Sequence, residues 1–177
     1  MEFEFDPPSE VWTHPALCVG RSTIAGRGLI ASAPLSAGTV VVKLGGHIVA
    51  TDELHRLFDA AAASGEYIDT FAVGLDSHLV LPPQTDAHFG NHSCEPTMWL
   101  VSAYELATRR AIAPGEELTI DYGLISDDED FRMQCGCQTA ACRGVISGAD
   151  WRRADLQTRY RGHWPFGLQR RIATVGR

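Results

Sequence analysis

Nowhere does the chain carry an apolar run near the roughly 18 consecutive residues a membrane-spanning helix needs, and its mean hydropathy is −0.08. A helical membrane protein is thereby excluded. Lysine is all but missing, with Lys43 alone beside fourteen arginines. There is no internal repeat, and no low-complexity segment beyond Asp127-Asp128-Glu129-Asp130, so a solenoid or a disordered tract is not expected. Cysteine is scarce, at five residues, and the number is odd. That count rules out a fully paired disulfide framework. Three of the five crowd into Cys135-Gly136-Cys137-Gln138-Thr139-Ala140-Ala141-Cys142, which in a reducing compartment favours a metal. The opening Met1-Glu2-Phe3-Glu4-Phe5-Asp6 has neither the basic start nor the apolar core of a secretory signal. A cytoplasmic location is expected, or a nuclear one in a eukaryote.

Charge is unevenly spread. Residues 1–146 hold 20 acidic against 8 basic side chains, and residues 147–177 hold 2 against 7. An acidic body disfavours nucleic acid as the main partner and suits a basic, Lys/Arg-rich protein or peptide. The same balance also describes an ordinary acidic soluble surface.

The 177 residues fit one domain with modest tails. Short apolar segments, with turn residues every 8 to 12 positions, predict strands at 17–22, 40–44, 47–49, 71–75, 78–81, 98–102, 104–111 and 118–120. A single middle helix is expected from a Thr51 cap to about Ala63. The pattern is mainly β. Near the end, Trp151, Leu156, Tyr160 and Trp164 form an apolar stripe that predicts a helix docking on the body.

Chemistry gathers at Phe89-Gly90-Asn91-His92-Ser93-Cys94-Glu95-Pro96-Thr97, where an amide, an imidazole, a hydroxyl, a thiol and a carboxylate lie within five consecutive residues. Glycine before and proline after make it a shaped loop. Glu117-Leu118-Thr119-Ile120-Asp121-Tyr122-Gly123 and the cysteine cluster follow in order. The ordered set N-H-S-C-x-P, E-L-x-x-D-Y-G and C-x-C-x4-C, with its rough spacing, resembles a SET-domain protein lysine methyltransferase carrying a post-SET zinc segment. The likeness runs over roughly residues 15–146. It implies a β-clip (SET) fold of small curled sheets around a knot-like core. It also implies a division into a tail (1–14), a SET domain (15–125), a post-SET zinc segment (126–146) and a basic C-terminal extension (147–177).

The resemblance assigns roles. S-adenosylmethionine would be held by the turn Gly26, Arg27, Gly28 and Leu29, by Asn91 and His92, and by Tyr122, with Val145 closing over it. Tyr122 is the expected catalytic residue, orienting a neutral lysine amine for in-line displacement from a sulfonium. Phe71 and Ile120 would line the lysine channel. Cys94 would join Cys135, Cys137 and Cys142 around one structural Zn²⁺, leaving Cys18 as a buried spare. The run Asp127 to Asp130, by its position between Tyr122 and the cysteines, is either a solvated acidic loop or a patch beside the substrate groove that attracts a basic peptide. Near-absence of lysine would limit self-methylation. Three departures stand out: Thr97 where the family commonly has Asn, Phe71 where it often has a channel Tyr, and Ile120 where Phe or Tyr commonly tunes methyl number. They keep open a catalytically weakened SET-like module that only binds a basic protein or peptide. A zinc-stabilised nucleic-acid adaptor using the basic tail is a further alternative. Residues alone assign neither substrate, methyl number nor oligomeric state.

Overall fold

A computed structural model describes residues 6–175. Residues 1–5 of the expected tail lie outside the described residues. The remainder of that stretch is built into the body: β1 (Trp12–Thr13) pairs antiparallel with β4 (Val40–Lys43), and the Pro8 carbonyl accepts from Gly46 N–H at 2.7 Å.

Four small sheets account for the twelve strands. The first, in order β1-β4-β9-β8, adds β9 (Glu105–Thr108) and β8 (Met98–Leu100). The second runs β10 (Glu117–Leu118), β3 (Arg27–Ala31), β2 (Leu17–Arg21). The third runs β5 (His47–Val49), β7 (His78–Val80), β6 (Thr70–Ala72), and the last is the hairpin β11 (Arg132–Gln134) with β12 (Val145–Ser147). Every named pairing is antiparallel. The mainly β expectation therefore holds. The strands are short, which limits exposed edges.

Alternation explains which faces are buried. In β3, Leu29 and Ala31 point inward, and in β4 Val41 and Val42 are both buried beside a register shift opposite β9. One main core joins these residues to Leu44, Leu79, Met98, Leu106, Leu118 and Leu124. Helix α1 (Thr51–Ser64) lies on a smaller cluster around Val49, Leu54 and Val80. Thr51 is not its cap. Ala50 occupies that position with no side-chain bond, and the free amide of Thr51 is met instead by Asp76 Oδ1 at 3.1 Å, from the turn between β6 and β7. An orphan N-terminal N–H takes whichever acceptor the tertiary fold supplies.

The C-terminal stripe is buried as expected, with Trp151, Leu156, Tyr160 and Trp164 all at 5% exposure or less. It is not one helix. A 3₁₀ turn (Asp150–Arg152), α2 (Ala154–Arg159) and α3 (Phe166–Val175) share it, separated by Gly162 at φ +83° and by Pro165. Gly167 of α3 lies so near Gly74 that a Cβ there would sit 2.0 Å from the Gly74 carbonyl oxygen. No helix among the described residues is long and apolar enough to cross a membrane.

Candidate active site and cysteine cluster

The loop at 89–97 is held against 117–122 by backbone bonds. Ile120 N–H donates to Asn91 O and Ser93 N–H to Ile120 O, both at 3.0 Å, which sets a parallel bridge between His92 and Ile120. The chain then turns through Tyr122–Leu124. This brings the Tyr122 hydroxyl to the Gly90 carbonyl oxygen at 3.0 Å, so the two distant motifs meet at one point. Burial raises the phenol's pKa well above its ordinary value, helped by Tyr67 and Asp69, so the group stays a neutral donor.

Tyr122 lines a cavity of about 260 Å³. Phe71 and Ile120, at 6% and 3% exposure, line it with Leu29, Tyr67 and Asp69. The expected channel residues are therefore gathered around the expected catalytic phenol. Asp127 and Asp128 also line the cavity. Of the acidic run, Asp127 is tied to Arg171 of α3 at 3.1 Å and Glu129 to Arg152, so half of it is engaged within the fold.

On the glycine turn, Gly26 adopts φ +46° and Gly28 allows a close approach. A Cβ on Gly28 would lie 2.2 Å from Glu117 Oε1 and 3.2 Å from Asn91 Nδ2. Asn91 Nδ2 donates to Arg27 O at 2.9 Å and Glu117 Oε1 at 2.7 Å, with Ala25 O and Ser22 Oγ slightly farther away. Both amide hydrogens are thus committed to the chain, and only Oδ1 is left to face a ligand. Leu29 is buried, and Arg27 rests over the Phe89 ring at 4.4 Å. Val145 stands exposed on β12 and is not part of the cavity wall.

His92, expected with Asn91 to contact the cofactor partly through backbone atoms, has its side chain turned into the fold. The ring is 4% exposed and lies between Tyr122 N–H, which donates to Nδ1 at 3.1 Å, and Cys94 Sγ, 3.4 Å from Nε2. Burial, opposed by Asp121, lowers its pKa to about 4, so it is neutral at pH 7. A neutral imidazole has one N–H. Because Nδ1 accepts, that hydrogen sits on Nε2 and points at the sulfur.

The metal-type donors that come within 4.8 Å of one another are those of His92, Cys94, Cys135 and Cys137. Cys142, expected among them, has its sulfur 3.9 Å from the Cys135 carbonyl oxygen, outside this group. The geometry of the remaining sulfurs suits zinc: Cys94 and Cys135 are 3.7 Å apart, and two thiolates about 2.3 Å from a tetrahedral Zn²⁺ lie roughly 3.8 Å apart. The His92 tautomer does not suit coordination, since metal at Nε2 would displace the proton to Nδ1 and strand the Tyr122 N–H. Cys18, expected to be a buried spare, is free and exposed, with its sulfur 3.6 Å from Ile30 O.

Sequence reasoning missed the group that ties these parts together. Asp121 is fully buried, and Arg143 grips it in two parallel bonds of 2.6 Å. Arg143 Nε also donates to Asp150 at 3.1 Å, Tyr160 OH to Asp121 Oδ2 at 2.9 Å, and Gly123 N–H to Asp121 Oδ1 at 3.0 Å. Arg159 donates to the Cys94 carbonyl at 2.9 Å. The post-cysteine segment and the C-terminal extension are therefore both bonded to the Tyr122 turn and the cysteine loop. The only signal was Asp121 inside E-L-x-x-D-Y-G, one residue before the phenol.

The fold and this junction define a class, small curled sheets with a phenol-lined cavity beside a cysteine cluster, and comparison with known proteins gives it a name. The SET domain model matches residues 26–123, just over half the chain. The chain belongs to the SET-domain family. It is 35% identical over 139 residues to "Histone-lysine N-methyltransferase ash1" of Drosophila melanogaster, covering 72% of this chain and 6% of that protein. It is 32% identical over 156 residues to "Histone-lysine N-methyltransferase ATX2" of Arabidopsis thaliana, covering 79% and 14%. The chain thus spans only a small part of these relatives. The solved methyltransferase domain of human histone-lysine N-methyltransferase SETMAR is similar in fold, at TM-score 0.59 and 21% identity, over 76% of this chain and 58% of that one.

Proposed function

We propose that this chain transfers a methyl group from S-adenosylmethionine to the ε-amine of a lysine in a basic, histone-type protein. One observation carries the reading: Tyr122 lines the cavity that holds Phe71 and Ile120, and its hydroxyl is bonded to the Gly90 carbonyl of the N-H-S-C loop, so a candidate channel and a candidate cofactor wall meet at one residue. The names of the relatives support a histone-type substrate.

The residues fit both absent groups. The Gly26–Leu29 turn, with no Cβ at Gly28 and a free Asn91 Oδ1, would receive the amino-acid end of the methyl donor, with Gly90, the His92 backbone and Tyr122 beside it. When bound, that donor supplies an electrophilic methyl on a sulfonium. Val145 would approach only if the β11–β12 hairpin closed. Cys94, Cys135 and Cys137, completed by a small shift of Cys142, would hold one structural zinc, with His92 Nε2–H donating to the Cys94 thiolate. That bond would orient a ligand from outside the coordination shell.

The protein's own task is to bring a lysine side chain, stripped of water, to the Tyr122 hydroxyl. Neutralising a lysine with pKa near 10.4 at pH 7 costs about 4–5 kcal/mol in water. The apolar walls of Phe71 and Ile120 lower that cost by desolvating the ammonium. Tyr122→Phe removes one hydroxyl and one hydrogen bond from a site whose walls are unchanged. The variant is expected to fold and to bind S-adenosylmethionine, yet to transfer labelled methyl to a mixture of core histones at least a hundredfold more slowly. Transfer at the native rate would remove Tyr122 from the mechanism, and absence of transfer by the unmutated protein would overturn the proposal itself.

A further inference from the structure

Of the cavity's three carboxylates, Asp69 and Asp128 have no ion pair among the described residues, and Asp128 instead accepts from Asp130 N–H at 3.0 Å. Asp69 sits at the entry to β6, where its own carbonyl accepts from Leu81 N–H at 3.0 Å and so fixes its backbone beside β7. The residue is half-buried and lines the same cavity as Phe71, two residues on, Ile120 and Tyr122. Among the described residues no arginine, lysine or histidine forms an ion pair with it. Asp127, in the same cavity, has Arg171. Burying a carboxylate without a cation is costly, and burial raises the Asp69 pKa to about 7. Tyr67, two residues earlier, lines the same cavity, and its phenol is pushed up to about 12 by burial and by Asp69.

We propose that Asp69 receives the substrate's lysine ammonium as its counter-ion and then takes its proton. This rests on the lysine-channel reading of the cavity and adds a residue to it. On entry the ammonium pairs with the Asp69 carboxylate. One N–H bond then breaks, an O–H bond forms on Asp69, and the electron pair left on Nζ makes the amine the nucleophile. Once that nitrogen has gained a methyl, the positive charge rests on it again, and Asp69 releases its proton to water. A carboxylate of ordinary acidity would accept that proton poorly, whereas one titrating near neutrality is matched to it.

The measurement is binding, without methyl donor, of a twelve-residue arginine-rich peptide with one central lysine, against the same peptide with norleucine in its place. At pH 8 the lysine peptide should bind at least tenfold more tightly. Between pH 6 and pH 8 its affinity should rise about tenfold as Asp69 ionises, while the norleucine peptide shows no such rise. The other titratable groups facing the cavity are Tyr67 and Tyr122, His78 of β7, His88 of the 3₁₀ turn 86–89, and Asp127 and Asp128. Burial lowers the pKa of both histidines, which moves their titration towards the acid end of this window and opposite to a rise in affinity from a newly formed carboxylate. Asp69→Asn should abolish both the lysine preference and the pH dependence, and His88→Gln should leave them intact.

Equal affinity for the two peptides in the unmutated protein at pH 8 would overturn the proposal without any variant. So would an Asp69→Asn protein that keeps the slope. An Asp69-dependent lysine preference in a protein that transfers no methyl would sustain the ammonium site while overturning the proposed activity.

Discussion

The tightest claim made by the structure concerns Arg143. Its guanidinium is 4% exposed and forks onto Asp121, which is wholly buried, with both bonds at 2.6 Å. Arg143→Leu keeps much of the aliphatic volume and deletes the cation. Breaking a buried pair from one side costs about 3–5 kcal/mol, because the abandoned charge remains in a poor medium. Asp121 would keep two donors, Gly123 N–H and the Tyr160 hydroxyl, which argues for the lower end, about 3 kcal/mol. That is a large share of the roughly 5–15 kcal/mol that holds a domain together. With a urea slope of about 2 kcal/mol per molar, the unfolding midpoint should fall by about 1.5 M. The same measurement on Asp121→Asn with Arg143→Leu should recover part of the loss, since the orphaned Asp121 charge is removed while Asp150, which also loses Arg143, keeps only the Ser147 hydroxyl. Metal content should not change, because the Arg143 backbone N–H that lies 3.3 Å from Cys94 Sγ is untouched. A midpoint shift under about 0.3 M in the single variant, or strict additivity in the double one, would refute the view that this pair clamps the site.

Two further outcomes can be checked on the same protein. Cys142→Ser is expected to drop bound zinc from about one ion per chain to a small fraction. His92→Gln should retain the ion, and cobalt substitution of the native protein should give the spectrum of four sulfurs; loss of zinc in the His92 variant alone would make the imidazole the fourth ligand. Gly28→Ala places a methyl where Glu117 Oε1 and Asn91 Nδ2 now lie. It should cost about 1–3 kcal/mol of stability and weaken S-adenosylmethionine in equilibrium dialysis by tenfold or more, while a native-like affinity would detach that turn from the cofactor.

Much of this was legible in order along the chain. Short strands, turns and the three motifs carry the mainly β fold, and the meeting of the N-H-S-C loop with Tyr122 follows from their resemblance. Other features depended on contacts far apart in sequence. Asp76 caps α1 from 25 residues away, so Thr51, a good capping type, was assigned a role another residue holds. The stripe from Trp151 to Trp164 has helical spacing, but Gly162 and Pro165 break it, and spacing alone does not show that burial survives the break. The role of His92 turns on which nitrogen meets an N–H from Tyr122, thirty residues on, a matter of tertiary register and not of residue type.

Hydrogen-bond accounting separates Asp121 from Asp69. Asp121 adjoins Tyr122 in sequence and invites a catalytic assignment, yet its oxygens are fully occupied by Arg143, Tyr160 and Gly123, and no room remains for a substrate. A carboxylate so satisfied is a fastener. Asp69 lies fifty-three positions earlier, outside every motif, with no cation to meet it and a cavity in front of it. Folding tolerates an unpaired, half-buried charge only where something else offsets its cost, and a ligand bearing the opposite charge is the partner that the shape and sign of this cavity accept. The residue that the motif advertises therefore builds the site, and the one that it omits is the one left free to act.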